Sequence, residues 1–339
     1  MRLDNRTESP LGSPSRITNG PGLAAELSVT IDGKLLALRR LTPQPDVYIA
    51  ELSNDRNRLS TPRRLTLDER QDYPFSWTPD AKTVIFISDR DGPVHIFKQA
   101  LDQTQPELLV GGNEDVDVPR LAPDGAELLY LVVAPKQGDA SHIVRLMRVP
   151  LAGGPSELVL ESPWPTNQQC ARSPSTRCIY STSGPNRTTF STFNPVTGSS
   201  AEIAGAKVTS PAFIIWSLSP DGKYLASGET KLAEQPSVRI LSIADHTWRI
   251  VPVPGWAEIG GIDWAADGKN IWVGANRRTS SFGRLDISAL LKIDLDGTIS
   301  TVLENSTVRF SGAIPSPDGR RLALFGVTDP SNVWLLQNF

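Results

Sequence analysis

The chain has 339 residues, 34 Lys+Arg against 37 Asp+Glu and a formal net charge of −3, a balance without the basic footprint of a nucleic-acid binder. No stretch approaches the roughly 20 apolar residues of a membrane helix. The polar start, Met1 to Gly20, has no apolar leader core, which places the chain in the cytoplasm by default, or outside it if the chain is a piece of a longer protein. The 28 prolines, 26 glycines and many short Val/Ile/Leu runs lean toward β structure, and two cysteines are too few for a disulfide scaffold or a structural zinc site.

Residues 1–13 read as a flexible N-terminus. From there one pattern recurs along the whole chain: a Ser/Thr/Ala-Pro-Asp-Gly-like turn followed by a small apolar run. The third position of that turn falls at Asp32, Asp80, Asp124, Ser175, Asp221, Asp267 and Asp318, which is seven copies, with Ser173-Pro174-Ser175-Thr176 the degenerate one. The spacings are 48, 44, 51, 46, 46 and 51 residues, the period of a four-stranded propeller blade. Proline sets φ at one corner, aspartate bonds its own backbone and glycine accepts φ > 0, so each copy joins two antiparallel strands.

The strand after each turn is nearly all apolar, as in Leu35-Leu36-Ala37-Leu38, Val84-Ile85-Phe86-Ile87 and Leu322-Ala323-Leu324-Phe325. That is expected of inner strands covered on both faces by neighbouring blades. A third strand follows (Val47-Tyr48-Ile49 in the first repeat, Val333-Trp334-Leu335-Leu336 in the last), then a short outer strand such as Arg64-Leu65-Thr66. The last repeat ends without an outer strand. Pro14-Ser15-Arg16-Ile17-Thr18 matches Pro62-Arg63-Arg64-Leu65-Thr66 nearly residue for residue, so residues 14–18 are expected to complete the last blade and close the ring. The expected fold is therefore all-β: a monomeric seven-bladed β-propeller spanning 14–339.

The segments Asp263-Trp264-Ala265-Ala266-Asp267-Gly268-Lys269 and Ile314-Pro315-Ser316-Pro317-Asp318-Gly319-Arg320-Arg321-Leu322-Ala323 resemble the TolB-like propeller repeat, a bacterial relative of the WD-repeat propeller. The ending Asn332-Val333-Trp334-Leu335-Leu336-Gln337 is similar to propellers at the C-termini of bacterial winged-helix regulators and serine/threonine kinases. The resemblance covers essentially the whole chain. It implies the fold, and it brings no shared catalytic motif, because such propellers host many activities.

Chemistry is sparse. His95, His142 and His246 fall in different repeats without metal-ligand spacing, and no nucleophile elbow, phosphate loop or zinc-protease motif is present. Ser88-Asp89-Arg90-Asp91-Gly92 and Asp294-Leu295-Asp296-Gly297 read as turns, not calcium loops. Cys170 and Cys178 flank the degenerate turn, diagonally placed on one face, and read as two buried thiols, with a disulfide conceivable in an oxidising compartment. Trp77 and Trp264 share the slot that Val29, Leu121 and Leu218 fill elsewhere, which indicates packing between blades. Trp164 lies in a loop, where it could anchor a partner or fold onto the core.

The remaining asymmetry is in the loops that lead into the innermost strands. They carry ten acids, among them Asp72, Glu114, Asp115, Asp117 and Glu258, against Arg70 and Lys207 alone. Neighbouring loops are mixed and include Arg277 and Arg278. An acidic channel mouth in a mixed rim would attract a cation or a basic peptide, although solvated loops are commonly charged without consequence. The leading expectation is a non-enzymatic module binding a protein or peptide partner at that mouth, with no cofactor and no metal. A small-ligand sensor and a propeller hydrolase or lyase are the alternatives.

Overall fold

The repeat turns fold as hairpins for a local reason. In Thr78-Pro79-Asp80-Ala81 the Thr78 hydroxyl donates to Asp80 Oδ1 (2.6 Å), the same oxygen accepts the Lys82 N–H (3.1 Å), and the Ala81 N–H returns to Thr78 O (2.9 Å). The residue after the aspartate has positive φ throughout: +67° at Gly33, +71° at Gly125, +72° at Gly222, +69° at Gly268 and +67° at Gly319. Ala81 adopts +59° at the same place and bears the steric cost that glycine avoids. The Thr78 hydroxyl, then the Lys82 N–H, hold the Asp80 carboxyl below the ordinary carboxylate range.

The computed structural model describes residues 2–3, 10–11, 17, 22–133, 143–163, 165–184, 186–209, 214–230, 235–278 and 285–337. The protein is a β-propeller, all strands with no helix among the described residues. The repeat strands build seven antiparallel sheets, six of four strands and one of three, beside a short ladder of Arg2–Leu3 with Pro10–Leu11. The chain divides into two compact units, residues 45–327 and residues 1–44 with 328–339.

In the larger unit five blades each use one repeat. Blade A runs from Asp72–Trp77 through Thr83–Ser88 and His95–Ala100 to Glu107–Val110. Blade B starts at Asp115–Leu121, blade C at Pro165–Cys170, blade D at Ile214–Leu218 and blade E at Glu258–Trp264. Blade F takes Arg309–Pro315 and Arg321–Thr328 from the last repeat and Gln44–Glu51 and Arg63–Arg64 from the first. The six innermost strands touch in the order A to F, and F meets A again. Trp77 Nε1 donates to Ile314 O (2.9 Å) across that seam, and with the sheet of the smaller unit the repeats give seven sheets, the number of a seven-bladed propeller.

The smaller unit holds the seventh sheet, in which Leu35–Leu41 lies between Leu23–Val29 and Ser331–Gln337. Arg39 pairs with Glu26 (2.9 Å) and the Arg40 guanidinium sits over the Trp334 ring.

The expectation that each repeat keeps its own first three strands therefore holds for the second to sixth repeats and changes at the two ends. There the third strands are exchanged: Gln44–Glu51 joins the last repeat, and Ser331–Gln337 joins the first. The connectors explain it. Two residues link the second and third strands at Thr42-Pro43, Pro185-Asn186 and Asp329-Pro330. Gly184 and Arg187, on either side of the connector whose sequence places proline first, pair as a hairpin. In the other two proline stands second, where it is disfavoured in the common turn. Those chains run on into different sheets, and the Thr42 N–H donates to Pro330 O (3.1 Å) between the two connectors. The closing strand expected at residues 14–18 lies, apart from Ile17, outside the described residues, as do His142 and Trp164.

Apolar clusters lie between adjacent blades. One, around Trp264, Ile271, Val273 and Leu291, is shared by blades D and E, and Trp77 with Val84, Phe86 and Phe97 packs beneath Val47 and Ile49 of blade F. Blades E and F approach so closely that a Cβ on Gly261 would lie 2.2 Å from Ser311 O, so only glycine fits there.

Cys170 and Cys178 are joined by a disulfide and are direct cross-strand partners, not diagonal neighbours. This corrects the reading as two free thiols: the blade-C turn is one residue longer than its counterparts, with Cys170 opposite Cys178 where Trp77 stands opposite Val84, and that register sets the two sulfurs face to face. Closing so short a loop restrains the unfolded chain by about 2.5 kcal/mol. Thiol titration of the unreduced, denatured protein should find no free thiol, and reduction should lower the denaturant midpoint. Two reactive thiols in the unreduced chain would refute the bond.

Candidate functional site: the central channel

The six inner strands run side by side around one channel, so their polar residues converge whatever their separation in sequence. Each inner strand begins at the entry end, where the loops from the outer strands arrive, and finishes at the turn end, under the repeat turns. A cavity opens at each end.

The entry-end cavity, about 310 Å³, is lined by Tyr73, Phe75, Asp117, Asn167, Trp216 and Phe325 among others. Tyr73 and Phe325 stack with centroids 5.0 Å apart. The Asp117 carboxylate is half-buried and accepts the N–H of Val118 (2.7 Å), and no cation stands beside it among the described residues. Burial pushes its pKa up, against the pull of that N–H. Asn167 donates to Trp216 O (3.3 Å), and its Oδ1 has no partner. Spare acceptors and ring faces thus dominate this end.

The other acids expected at this mouth are mostly engaged locally. Asp72 is fully buried and pairs with Arg90 (2.9 Å), whose guanidinium also meets Asp68 and lies over the Phe97 ring. Glu114 pairs with Arg145 (2.5 Å), and Asp115 accepts the Val94 N–H (2.8 Å). Glu258 accepts from Asn276 Nδ2 (3.4 Å). Arg277 pairs with Glu304 (2.8 Å) and covers the Trp256 ring, and the backbone of Arg278 lies opposite Leu285. Of the six candidates whose side chains are described, only Asp117 lines the channel cavity; the other five serve blade edges and loops. The sequence shows acidic loops, but it does not show that arginines of the same sheets, Arg90 from a turn and Arg145 from a strand, neutralise them.

Midway down the channel Arg120 Nη1 faces Asp263 Oδ2 at 3.5 Å and donates to Phe75 O (2.5 Å). Asp263 also accepts from Ser217 Oγ (2.9 Å) and from its neighbour's backbone, Trp264 N (2.9 Å). Burial raises the Asp263 pKa, with Arg120 the main opposing influence, and burial lowers that of Arg120, with Asp263 opposing.

The turn-end cavity, about 270 Å³, adds Arg172 and Gln169, between walls of Trp77 and Trp264 and the turn prolines. Both tryptophans are buried and spend their indole N–H on a neighbouring blade, Trp77 on Ile314 O and Trp264 on Ser217 O (3.1 Å), as core packing requires.

Reading the sequence for motifs passed over Arg120, Gln169 and Asp263. A signal exists: in the slot just before the Trp/Leu position the repeats carry Ser76, Arg120, Gln169, Ser217, Asp263 and Ile314. Large polar groups in a slot that a small or apolar residue fills elsewhere point into a shared interior.

His95 is buried in its strand with Nε2 3.0 Å from Gly112 O, and His246 sits in a turn at φ +55°. The Asp89–Gly92 and Asp294–Gly297 segments close as turns through Gly92 N to Asp89 O and Gly297 N to Asp294 O.

No known family model matches the sequence, and no curated protein matches it. Solved structures do match. The chain is similar to a putative TolB from Agrobacterium tumefaciens at TM-score 0.61 and 14% identity, over 85% of this chain and 99% of that one. TolB from Acinetobacter baumannii follows at TM-score 0.54 and 14% identity, over 86% and 66%. A chain of a nidogen/laminin complex gives TM-score 0.55 and 12% identity, over 84% and 98%. The fold is thus that of a TolB-like β-propeller.

Proposed function

We propose that this protein is a non-enzymatic binding propeller that captures a basic side chain of a protein or peptide partner at the entry end of its channel. The observation that carries the reading is Asp117: a carboxylate held in the channel wall without a countercharge, beside an unpartnered Asn167 oxygen and the faces of Tyr73 and Phe75. Desolvation makes such a group costly on its own and rewarding to an incoming cation, and aromatic faces add to the attraction. The arginine-paired acids around it form a mixed rim that supplies orientation more than net field.

Asp117→Asn keeps the acceptor for the Val118 N–H and removes the charge. Calorimetric titration with a blocked Lys-Arg dipeptide should show binding at least ten-fold weaker in the variant. The variant should also melt a few degrees higher at pH 7, since an uncompensated carboxylate is gone.

The pH dependence has a defined sign. Burial raises the Asp117 pKa above that of an ordinary aspartate, so it gains its proton early as pH falls and capture should weaken in mild acid, before ordinary carboxylates titrate. Undiminished binding by the variant would reject the site. Turnover of ester or peptide substrates that disappears with Asp117→Asn would reject the non-enzymatic reading.

A further inference from the structure

We propose that the turn end of the channel is a second binding site, for a carboxylate clamped by Arg172 and Arg120 with the Gln169 amide, carried on a small organic acid or on the C-terminus of a peptide. It lies at the opposite mouth from Asp117 and does not depend on that reading.

The donors and acceptors in this cavity do not balance. Its acceptors are in use: Gln169 Oε1 takes the Leu218 N–H (2.7 Å), Asp263 Oδ1 takes the Trp264 N–H (2.9 Å), and the one Ser217 hydroxyl hydrogen serves either Asp263 (2.9 Å) or Gln169 (3.2 Å). The Leu218 N–H fixes which way the amide points, because only its oxygen can accept. That leaves Gln169 Nε2, on a residue 6% exposed, without a partner among the described residues. Arg120 Nε is likewise buried and unpartnered. Arg172 stands exposed at the mouth, and among the described residues its side chain makes one long bond, Nη1 to Pro317 O at 3.5 Å. A buried amide hydrogen left unmade is costly, so a ligand that accepts it is favoured.

Charge and shape narrow the ligand. Arg120 faces Asp263 (3.5 Å), and the other aspartate of the lining, Asp124, accepts the Ala126 N–H of its own turn (3.0 Å), so Arg172 has no ion-pair partner among the described residues and favours an incoming anion. Planar forks of N–H groups match a planar carboxylate. The walls, Trp77, Trp264 and the turn prolines Pro79, Pro123, Pro220 and Pro317, are apolar and leave room for a hydrophobic body behind the carboxylate.

The test is calorimetric titration of the full chain with phenylacetate and its amide, with acetyl-Ala-Leu-Phe as free acid and as amide, and with inorganic phosphate. At least one acid should bind, with its amide at least ten-fold weaker. Arg172→Gln, at an exposed site and so without loss of melting temperature, should weaken the acid at least ten-fold. Asp117→Asn should leave acid binding within two-fold, which separates this site from the entry end. Binding of phenylacetate alone assigns a small acid, and binding of the peptide acid alone or of both admits a chain terminus. The proposal is overturned if neither acid binds at millimolar concentration, if acid and amide bind alike, if Arg172→Gln changes nothing, or if phosphate competes as well as the carboxylates.

Discussion

A chain trimmed to residues 44–328 should fold into a closed ring and unfold in a single cooperative transition. This fragment keeps Gln44–Glu51 and Arg321–Thr328 whole and drops the strands of the three-stranded sheet. In blade F the first repeat supplies the outer half and the last repeat the inner half, so the seam is bridged by backbone bonds from both ends of the fragment. Side chains add to it: Tyr48 meets Phe310 edge-on at 5.4 Å, and the Arg64–Asp46 pair (2.6 Å) sits over a fully buried carboxylate. Removing residues 1–64 instead takes the outer half of blade F away. It exposes the inner face of Arg321–Thr328 and should cost more than the roughly 5–15 kcal/mol that a domain has in total. Chemical denaturation and light scattering read both results. A fragment 44–328 that aggregates while a chain lacking residues 1–64 stays soluble would refute the exchanged pairing.

Arg120→Met should be the most damaging single change in the channel. It leaves Asp263 in a desolvated wall with the Ser217 hydroxyl and the Trp264 N–H and no cation at contact distance. Breaking one side of such a pair costs about 3 kcal/mol, or roughly 6–12 °C in melting temperature for a ring of this size. Adding Asp263→Asn to the variant should recover most of the loss, because asparagine keeps an acceptor for both donors and carries no charge. The penalty should also shrink as pH falls. The Asp263 pKa is raised in the fold, so the protonated form is the one the fold prefers, and the cost of ionisation vanishes below that pKa. A loss that the second substitution does not relieve, or that grows in acid, would show that the pair matters through packing and not charge.

Much of the fold was legible because its cause is local. The Thr78 and Asp80 side chains and the positive φ after the aspartate close a hairpin by themselves, and the same chemistry repeated at a fixed period declares a propeller. The slot shared by Trp77 and Trp264 was legible as packing for the same reason. The site was less so. Asp117 stood among ten loop acids, and nothing in the sequence separates it from Asp72 or Glu114. What separates them is Arg90, in the turn after Thr83–Ser88, and Arg145, on the strand Ile143–Pro150, which reach those acids and do not reach Asp117. Cys170 and Cys178 were visible as a pair, but their alignment depends on a register set by the degenerate turn between them.

The sequence by itself determined the strands, the turns and their number, since each is decided within some ten residues. Which strand completes the first and last sheets was decided only by the tertiary structure. Thr42-Pro43 and Asp329-Pro330 place proline second in a two-residue connector, which disfavours the hairpin but does not say where the chain goes instead. The partner is found only when the ring closes and the two edges meet, Trp77 against Ile314, some 240 residues apart. The channel shares that origin. Arg120, Gln169, Asp263 and Asp117 come from three different blades, and long-range closure alone brings them to one axis, with donors at the turn end and acceptors at the entry.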